Sequence, residues 1–244
     1  MKQGSMKPFL RSPALAFGLA AAVALALPVA AQPPAASGRI APRDQSSRNL
    51  RVAAEAGLRR MTFDLAQGLP ANGKLPADFP IAVSSYAELR QVTLGIGFEV
   101  DTVDPSSLLY ARQTADIGRM ARGTGVWKFV MLSKGQPVGL LEMNNVNGKW
   151  QAVGAGSARL AQDVNAAASA STDGSFRFVR IYQATSDLME VRGKDGVPRY
   201  VALPSAQRSL SLSNAKMADG TLSSQALLPS LQAAVRANLA HANR

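Results

Sequence analysis

The sequence predicts an α+β fold, a mostly antiparallel sheet with flanking helices on one face. The first observation is the stretch at about 126–154, where three segments of alternating apolar and polar residues are joined by short turns, the pattern of an antiparallel β-meander. The second is another group of strand patterns at about 176–202. The third is helical periodicity, with apolar residues at three- and four-residue steps, at 47–67 and 222–240.

Three longer helices are predicted. The first occupies 47–67, although Gly57 inside it costs about 1 kcal/mol relative to alanine. The second occupies about 158–168, with Ser157 as its cap. The third occupies 222–240 and carries leucine and valine side chains along one stripe.

Capping signals predict two short helices between the first helix and the meander. Ser85, with Glu88 three residues later, is a capping box. Asp104 before Pro105 is the pattern of an N-cap followed by a first-turn proline. Between these helices, residues 98–103 alternate between apolar and polar side chains and are predicted to form a strand.

The two strand groups are bounded by turn residues. Asn147-Gly148 predicts a hairpin turn in the meander, and Asp195-Gly196 predicts another in the second group. The predicted strands lie at 126–133, 138–143, 149–153, 176–182, 188–191 and 197–202.

The first 31 residues have the three regions of a secretory signal peptide. Lys2, Lys7 and Arg11 form a basic head, an apolar run follows at 13–28, and small residues precede a cleavage site after Ala31. The apolar run is too short for a comfortable transmembrane span. The protein is therefore predicted to be extracytoplasmic, in the bacterial periplasm or the medium.

The rest of the chain is predicted to contain one domain. Residues 32–46, rich in proline and small side chains, are interpreted as a flexible linker, and 47–244 as a single α+β domain. The order of a helix followed by strands occurs twice. The alternative to a single domain is therefore a pair of similar small α+β lobes at 47–156 and 157–244.

The amino-acid composition limits the kinds of functional site that the chain can form. The chain has no cysteine, which excludes disulfides, a thiol nucleophile and cysteine-ligated metals. Without the leader, 24 basic residues oppose 16 acidic ones, and the net charge of +8 either favours anionic partners or serves solubility alone. The single histidine, His241, lies close to the C-terminus, where a catalytic relay or zinc site is not braced. No metal and no cofactor are predicted.

The candidate catalytic residues are Glu99, Asp101 and Asp104, the densest group of carboxylates. Two-residue spacing on a strand points Glu99 and Asp101 the same way, as acid/base chemistry needs. An enzyme would require a facing carboxylate such as Glu142 or Asp187. The alternative is the solvent face of an edge strand, with Asp104 as a helix cap.

Three patterns supply candidate ligand-binding residues. The two tryptophans fall on the meander and form either an exposed platform or a buried pair. An aromatic and basic strand is typical either of base stacking or of a core stripe. A glycine-rich link between strand and helix has part of a phosphate-binding pattern but lacks its third glycine. The two tryptophans are Trp127 and Trp150, and the candidates on the aromatic and basic strand are Phe178 and Arg180. The candidates in the glycine-rich link are Gly154, Gly156 and Ser157.

The leading functional hypothesis is an exported, non-enzymatic binding or interaction protein of unknown ligand. The alternatives are a carboxylate-dependent hydrolase acting on envelope glycans and a binder of anionic envelope polymers. The expected partners are such a polymer or another exported protein, without nucleic acid and without stable membrane insertion. The meander with a flanking helix, at about 84–168, resembles in architecture the small secreted cystatin-like or PepSY-like modules.

Overall fold

The computed structural model describes residues 45–67, 75–76, 78–169, 171, 175–192, 195–212 and 220–242. The predicted leader, and the predicted linker as far as residue 44, lie outside these residues.

The helices of the described residues are mostly short, and only α1, α5 and α7 exceed two turns. Their bounds are α1 Gln45–Gln67, α2 Tyr86–Leu89, α3 Pro105–Leu109, α4 Ile117–Met120, α5 Ala158–Ser169, α6 Pro204–Ser209 and α7 Ser224–Ala242, with a 3-10 turn at Tyr182–Ala184.

Seven strands of the described residues form one sheet. Their bounds are β1 Thr93–Thr102, β2 Arg122–Ser133, β3 Gln136–Val146, β4 Lys149–Gly156, β5 Phe176–Ile181, β6 Ser186–Arg192 and β7 Pro198–Ala202. The order across the sheet is β4-β3-β2-β1-β5-β6-β7. All neighbouring strands are antiparallel except β1 and β5, which are parallel. Because β1 pairs with both β2 and β5, one sheet runs through both strand groups.

The α+β class and its antiparallel meander are confirmed. Strands β2, β3 and β4 follow one another through short turns, the second of them at the predicted Asn147-Gly148, and β6 and β7 form the predicted second hairpin. The predicted strand at 176–182 is one residue too long, since Tyr182 begins the 3-10 turn. The first helix begins at Gln45, so the predicted linker overlaps its first turn.

Two of the three predicted N-caps, Ser85 and Asp104, are confirmed. The Ser85 side chain accepts a hydrogen bond from the Glu88 backbone N–H at 3.2 Å, and Asp104 accepts one from the Ser107 N–H at 2.9 Å. The Glu88 carboxylate accepts hydrogen bonds from the Ser84 N–H and hydroxyl and, at 2.7 Å, from the Ser133 hydroxyl. Glu88 therefore ties α2 to the end of β2.

Helices cover both faces of the sheet, so the expectation of helices on one face is wrong. On one face, called the α5 face, α5 packs on an apolar cluster that includes Phe98, Val130 and Phe178. The adjacent residues Phe129 and Val179 point to the other face and belong to different clusters. The physical reason is that these strands carry apolar side chains on both faces, and each face needs cover.

The opposite face, called the α1–α7 face, has two apolar clusters. Helix α1 packs over β4 and the meander, and α7 packs over the β5–β7 end. Polar side chains of β1, β5 and β6 also point to this face. Asp101 lies opposite Val179 in the β1–β5 register, and Arg177 lies opposite Glu190.

Candidate functional site

Arg177 is the centre of the polar group on the α1–α7 face. Its Nε lies 3.2 Å from Asp101 Oδ2 on β1, and its Nη1 lies 3.5 Å from Glu190 Oε2 on β6. Nη1 also donates a hydrogen bond of 2.6 Å to the carbonyl of Gly118 in α4. Because the Glu190 side chain is only 6% exposed, its buried charge needs a basic partner such as Arg177. Arg177 therefore holds α4 above the sheet.

Tyr200 also holds the N-terminal end of α4. Its buried hydroxyl donates to Asp116 Oδ1 at 2.9 Å and accepts from the Gly118 N–H at 2.8 Å. Burial raises the pKa of the Tyr200 phenol, with the nearby carboxylates adding to the shift, so the hydroxyl stays protonated and able to donate. A Cβ on Gly118 would overlap the Glu190 carboxylate, and only glycine allows α4 this close an approach.

A cleft of about 590 Å³ lies between the α4 segment and the β6–β7 hairpin, with Arg177 and Glu190 at the sheet. We call it the arginine cleft. Its volume is within the range of small-ligand sites. Its charged lining consists of Arg119, Arg122, Arg177 and Arg192, with Asp116, Glu190 and Asp195.

Each carboxylate of the arginine cleft is engaged within the fold. Asp116 accepts from Tyr200, and Glu190 lies between Arg177 and Arg192, whose Nη2 is 3.7 Å from Glu190 Oε1. Asp195 accepts from Arg199 at 2.7 Å and from the Val197 N–H at 3.1 Å. These carboxylates therefore fix the walls of the cleft.

Two arginines of the cleft differ from the others. Among the described residues, no carboxylate forms an ion pair with Arg119 or Arg122. Arg122 Nη1 donates to the carbonyls of Arg119 and Ala121 at 2.7 and 2.8 Å, which fixes the guanidinium in place. The Nε and Nη2 donors of Arg122 have no hydrogen-bond partner in the described part of the chain. The Nε and Nη2 donors together form an edge of the guanidinium that can bind a carboxylate or phosphate with two parallel hydrogen bonds.

A second concavity, of about 500 Å³, lies on the other side of the same two arginines. We call it the tyrosine hollow, because Tyr182 lines it and is 53% exposed. Its lining also includes Val103, Met120, Ser107 and Gln183. Besides the two arginines, the hollow thus combines an aromatic ring and apolar side chains with neutral hydrogen-bonding groups and the Asp104 carboxylate.

The candidate catalytic carboxylates are engaged by different groups of the fold. Glu99 and Asp101 do point to the same face, but Glu99 Oε1 accepts from the Gly125 N–H at 3.0 Å, whereas Asp101 pairs with Arg177. Asp104 is a helix cap and also lines the tyrosine hollow.

The facing carboxylates that an enzyme would require lie on the opposite side of the sheet. Glu142 pairs with Lys128 at 2.6 Å, and Asp187 pairs with Arg180 at 2.6 Å. All four side chains point to the α5 face. Glu99 lies opposite Trp127, the neighbour of Lys128, and so points to the α1–α7 face. The sheet therefore separates the two sets of carboxylates.

Both tryptophans lie on the α1–α7 face. Trp127 is opposite Met143 and Trp150 is opposite Asn145, two residues further along β3. Each is half-buried against the apolar cluster beneath α1. The pair thus contributes to packing and keeps part of each indole accessible.

Phe178 offers no stacking surface, because it is fully buried on the α5 face, with its ring centroid 5.2 Å from that of Phe98. The Arg180 guanidinium lies 5.5 Å from the Phe178 centroid. Its hydrogen bonds to Asp187 raise the pKa of Arg180, and Ser205 donates to the same carboxylate. Phe178 is thus part of the core, and Arg180 is held by contacts within the fold.

The glycine-rich link turns β4 into α5. Gly156 has φ 151° and Ser157 has φ 58°, both outside the range of ordinary strand or helix. A capping serine is normally extended, so the left-handed Ser157 departs from the predicted cap. A Cβ on Gly154 would meet open space, so nothing there requires glycine for packing.

His241 lies exposed in the last turn of α7. Within the described ranges no three His, Asp or Glu side chains are grouped as a metal site would need. Across the same ranges, no helix has the length and hydropathy to cross a membrane.

Comparison of this chain with protein-family models, with curated proteins and with solved structures gives no match. The geometry of the two concavities is thus the evidence for function.

Sequence reasoning missed the arginine cleft. Arg177 contacts Gly118 across 59 positions of sequence, and the cleft assembles only when β1 and β5 pair. The only feature of the sequence that indicated an anion site was the excess of basic residues, and composition does not show where those residues converge.

Proposed function

We propose that this chain is an exported, non-enzymatic protein that binds an anionic ligand in the arginine cleft. The observation that carries the proposal is the position of Arg119 and Arg122. They line the cleft, and no carboxylate in the described part of the chain forms an ion pair with either of them. Because the arginines form one contiguous group, the hypothesis of a binder of anionic envelope polymers has more support than that of a generic interaction protein.

The orientation of Arg122 supports this proposal. Two hydrogen bonds to carbonyls hold its guanidinium before any ligand arrives, so little side-chain entropy is lost on binding. The planar edge that remains matches a carboxylate or phosphate group. The net charge of +8 without the leader further attracts anions towards the protein.

The hydrolase alternative has less support. A hydrolase of glycans needs two carboxyl groups free to exchange protons or attack the sugar across the substrate. In the arginine cleft the carboxylates of Asp116, Glu190 and Asp195 already accept hydrogen bonds or ion pairs from the walls. Binding without chemistry is therefore the function that the cleft supports best.

The test is elution of residues 32–244 from a heparin column in a salt gradient. The variant Arg119→Gln/Arg122→Gln removes the two cleft arginines. The matched control, Arg59→Gln/Arg60→Gln, removes two charges from the exposed surface of α1, where Arg60 pairs with the exposed Asp64 at 3.6 Å. Both variants have the same net charge.

We expect the cleft variant to elute at clearly lower salt than the control, with both retaining the wild-type circular dichroism spectrum. Loss of a charge-assisted hydrogen bond costs about 1.5–3 kcal/mol, which is about 10-fold to 150-fold in affinity. Co-elution of the two variants would mean that only net charge matters, and the proposal would be wrong. Failure of the wild-type protein to bind heparin would also contradict it.

A further inference from the structure

We propose that the arginine cleft and the tyrosine hollow form one continuous site for an acidic oligosaccharide. The acid group binds at Arg119 and Arg122, and a neighbouring sugar ring packs on Tyr182. This inference rests on the proposed function and extends it by naming the chemical class of the ligand.

The two concavities share a wall. Arg119 and Arg122 line both of them, one of about 590 Å³ and the other of about 500 Å³. A ligand held at these arginines thus has space on either side. A small anion at these arginines would leave most of this space empty, whereas a chain of several units would occupy both concavities. The shape therefore favours an extended ligand with its charge in the middle.

The tyrosine hollow has the lining that a sugar ring requires. Tyr182 offers a half-exposed aromatic ring, and Ser107 and Gln183 offer neutral donors and acceptors for hydroxyl groups. The Gln183 carbonyl accepts a hydrogen bond of 2.7 Å from Asn238 in α7. The Thr185 N–H closes the turn by donating to the Tyr182 carbonyl at 3.0 Å. The turn that presents the ring is thus held in place before ligand binds.

An acidic peptide fits these surfaces less well. Extended peptides bind by adding to the edge of a sheet or by placing a helix in an apolar groove. The shared wall is instead the α4 segment, and Arg122 already occupies the carbonyls of Arg119 and Ala121. The remaining donors are side chains, which suits a ligand rich in hydroxyl and carboxylate groups.

The experiment is calorimetric titration of residues 32–244 with oligogalacturonates from the monomer to the octamer, and with hexaglutamate. We expect affinity to rise about tenfold or more with chain length, since the second concavity adds contacts to a ligand already held. Tyr182→Ala should weaken the octamer about tenfold and leave the monomer unchanged. Tyr86→Ala, on α2 and in neither concavity, is the matched control.

The outcomes separate this inference from the proposed function. If the octamer binds no more tightly than the monomer, or if Tyr182→Ala has no effect on it, the continuous site is wrong, although heparin binding at the two arginines would still stand. Hexaglutamate binding as tightly as hexagalacturonate would overturn the assignment to sugars. If the cleft variant loses heparin binding while no oligogalacturonate binds, the continuous site for a carboxylated sugar chain is wrong and the anion site is retained.

Discussion

Replacing Gly57 by alanine separates helix propensity from tertiary packing. On propensity alone, alanine in the middle of α1 is more stable than glycine by about 1 kcal/mol. The structure predicts the opposite sign. A Cβ on Gly57 would lie 2.6 Å from the Cβ of Ala152 on β4 and 3.6 Å from its backbone nitrogen.

The magnitude follows from that contact. Apolar carbons pack best at about 3.5–4.0 Å, so α1 and β4 would have to separate by about 1 Å. The Ala152 methyl is attached directly to the backbone and has no rotamer that moves it away. Overpacking of this kind costs about 1–3 kcal/mol, which exceeds the propensity gain of about 1 kcal/mol. We expect Gly57→Ala to lower the free energy of unfolding by about 1 kcal/mol.

Urea unfolding of a double-mutant cycle measures this directly. Ala152→Gly removes the obstructing methyl, and in that background Gly57→Ala should stabilise the protein by about 1 kcal/mol. The two changes should therefore be coupled by about 1–3 kcal/mol. If Gly57→Ala stabilises both backgrounds equally, with coupling below about 0.5 kcal/mol, α1 does not pack on β4 at this position.

Two further predictions concern the polar contacts of the fold. Tyr200→Phe deletes the hydroxyl that bonds Asp116 and should cost about 1–3 kcal/mol in urea unfolding, whereas Tyr110→Phe, at a side chain 87% exposed, should unfold like the wild type. Hydrogen bonds from the Ser84 side chain and backbone, and then from Ser133, lower the pKa of Glu88 from 4.5 to about 2. A depressed pKa in the folded state stabilises the protein above the unfolded pKa, and this contribution is lost as the pH falls from 4.5 towards 2. Urea unfolding across this range should show a steeper loss of stability for the wild type than for Glu88→Gln, and parallel pH curves would contradict the assignment.

The local signals of the chain were sufficient for most elements. Strand alternation and the Asn147-Gly148 and Asp195-Gly196 turns predicted the hairpins, and Ser85 and Asp104 predicted two N-caps. These features depend on residues only a few positions apart, where side-chain geometry and turn chemistry act directly on the backbone.

The candidate site was not predictable in the same way. Glu99 and Asp101 were correctly placed on one face, but the groups that engage them come from other parts of the chain, Gly125 for Glu99 and Arg177 for Asp101. Spacing reveals which way a side chain points and not what it meets.

The sequence by itself determined most of the secondary structure, the α+β class and the exclusion of cysteine chemistry, because these follow from composition and short-range periodicity. The tertiary structure decided the parallel pairing of β1 with β5, the cover on both sheet faces and the position of α4 over Glu190. These depend on contacts between residues far apart in sequence, such as Arg177 with Gly118, whose energy is gained only after the chain has closed the long loop between them. The same closure brings Arg119 and Arg122, which mark the proposed ligand site, to the wall of the arginine cleft.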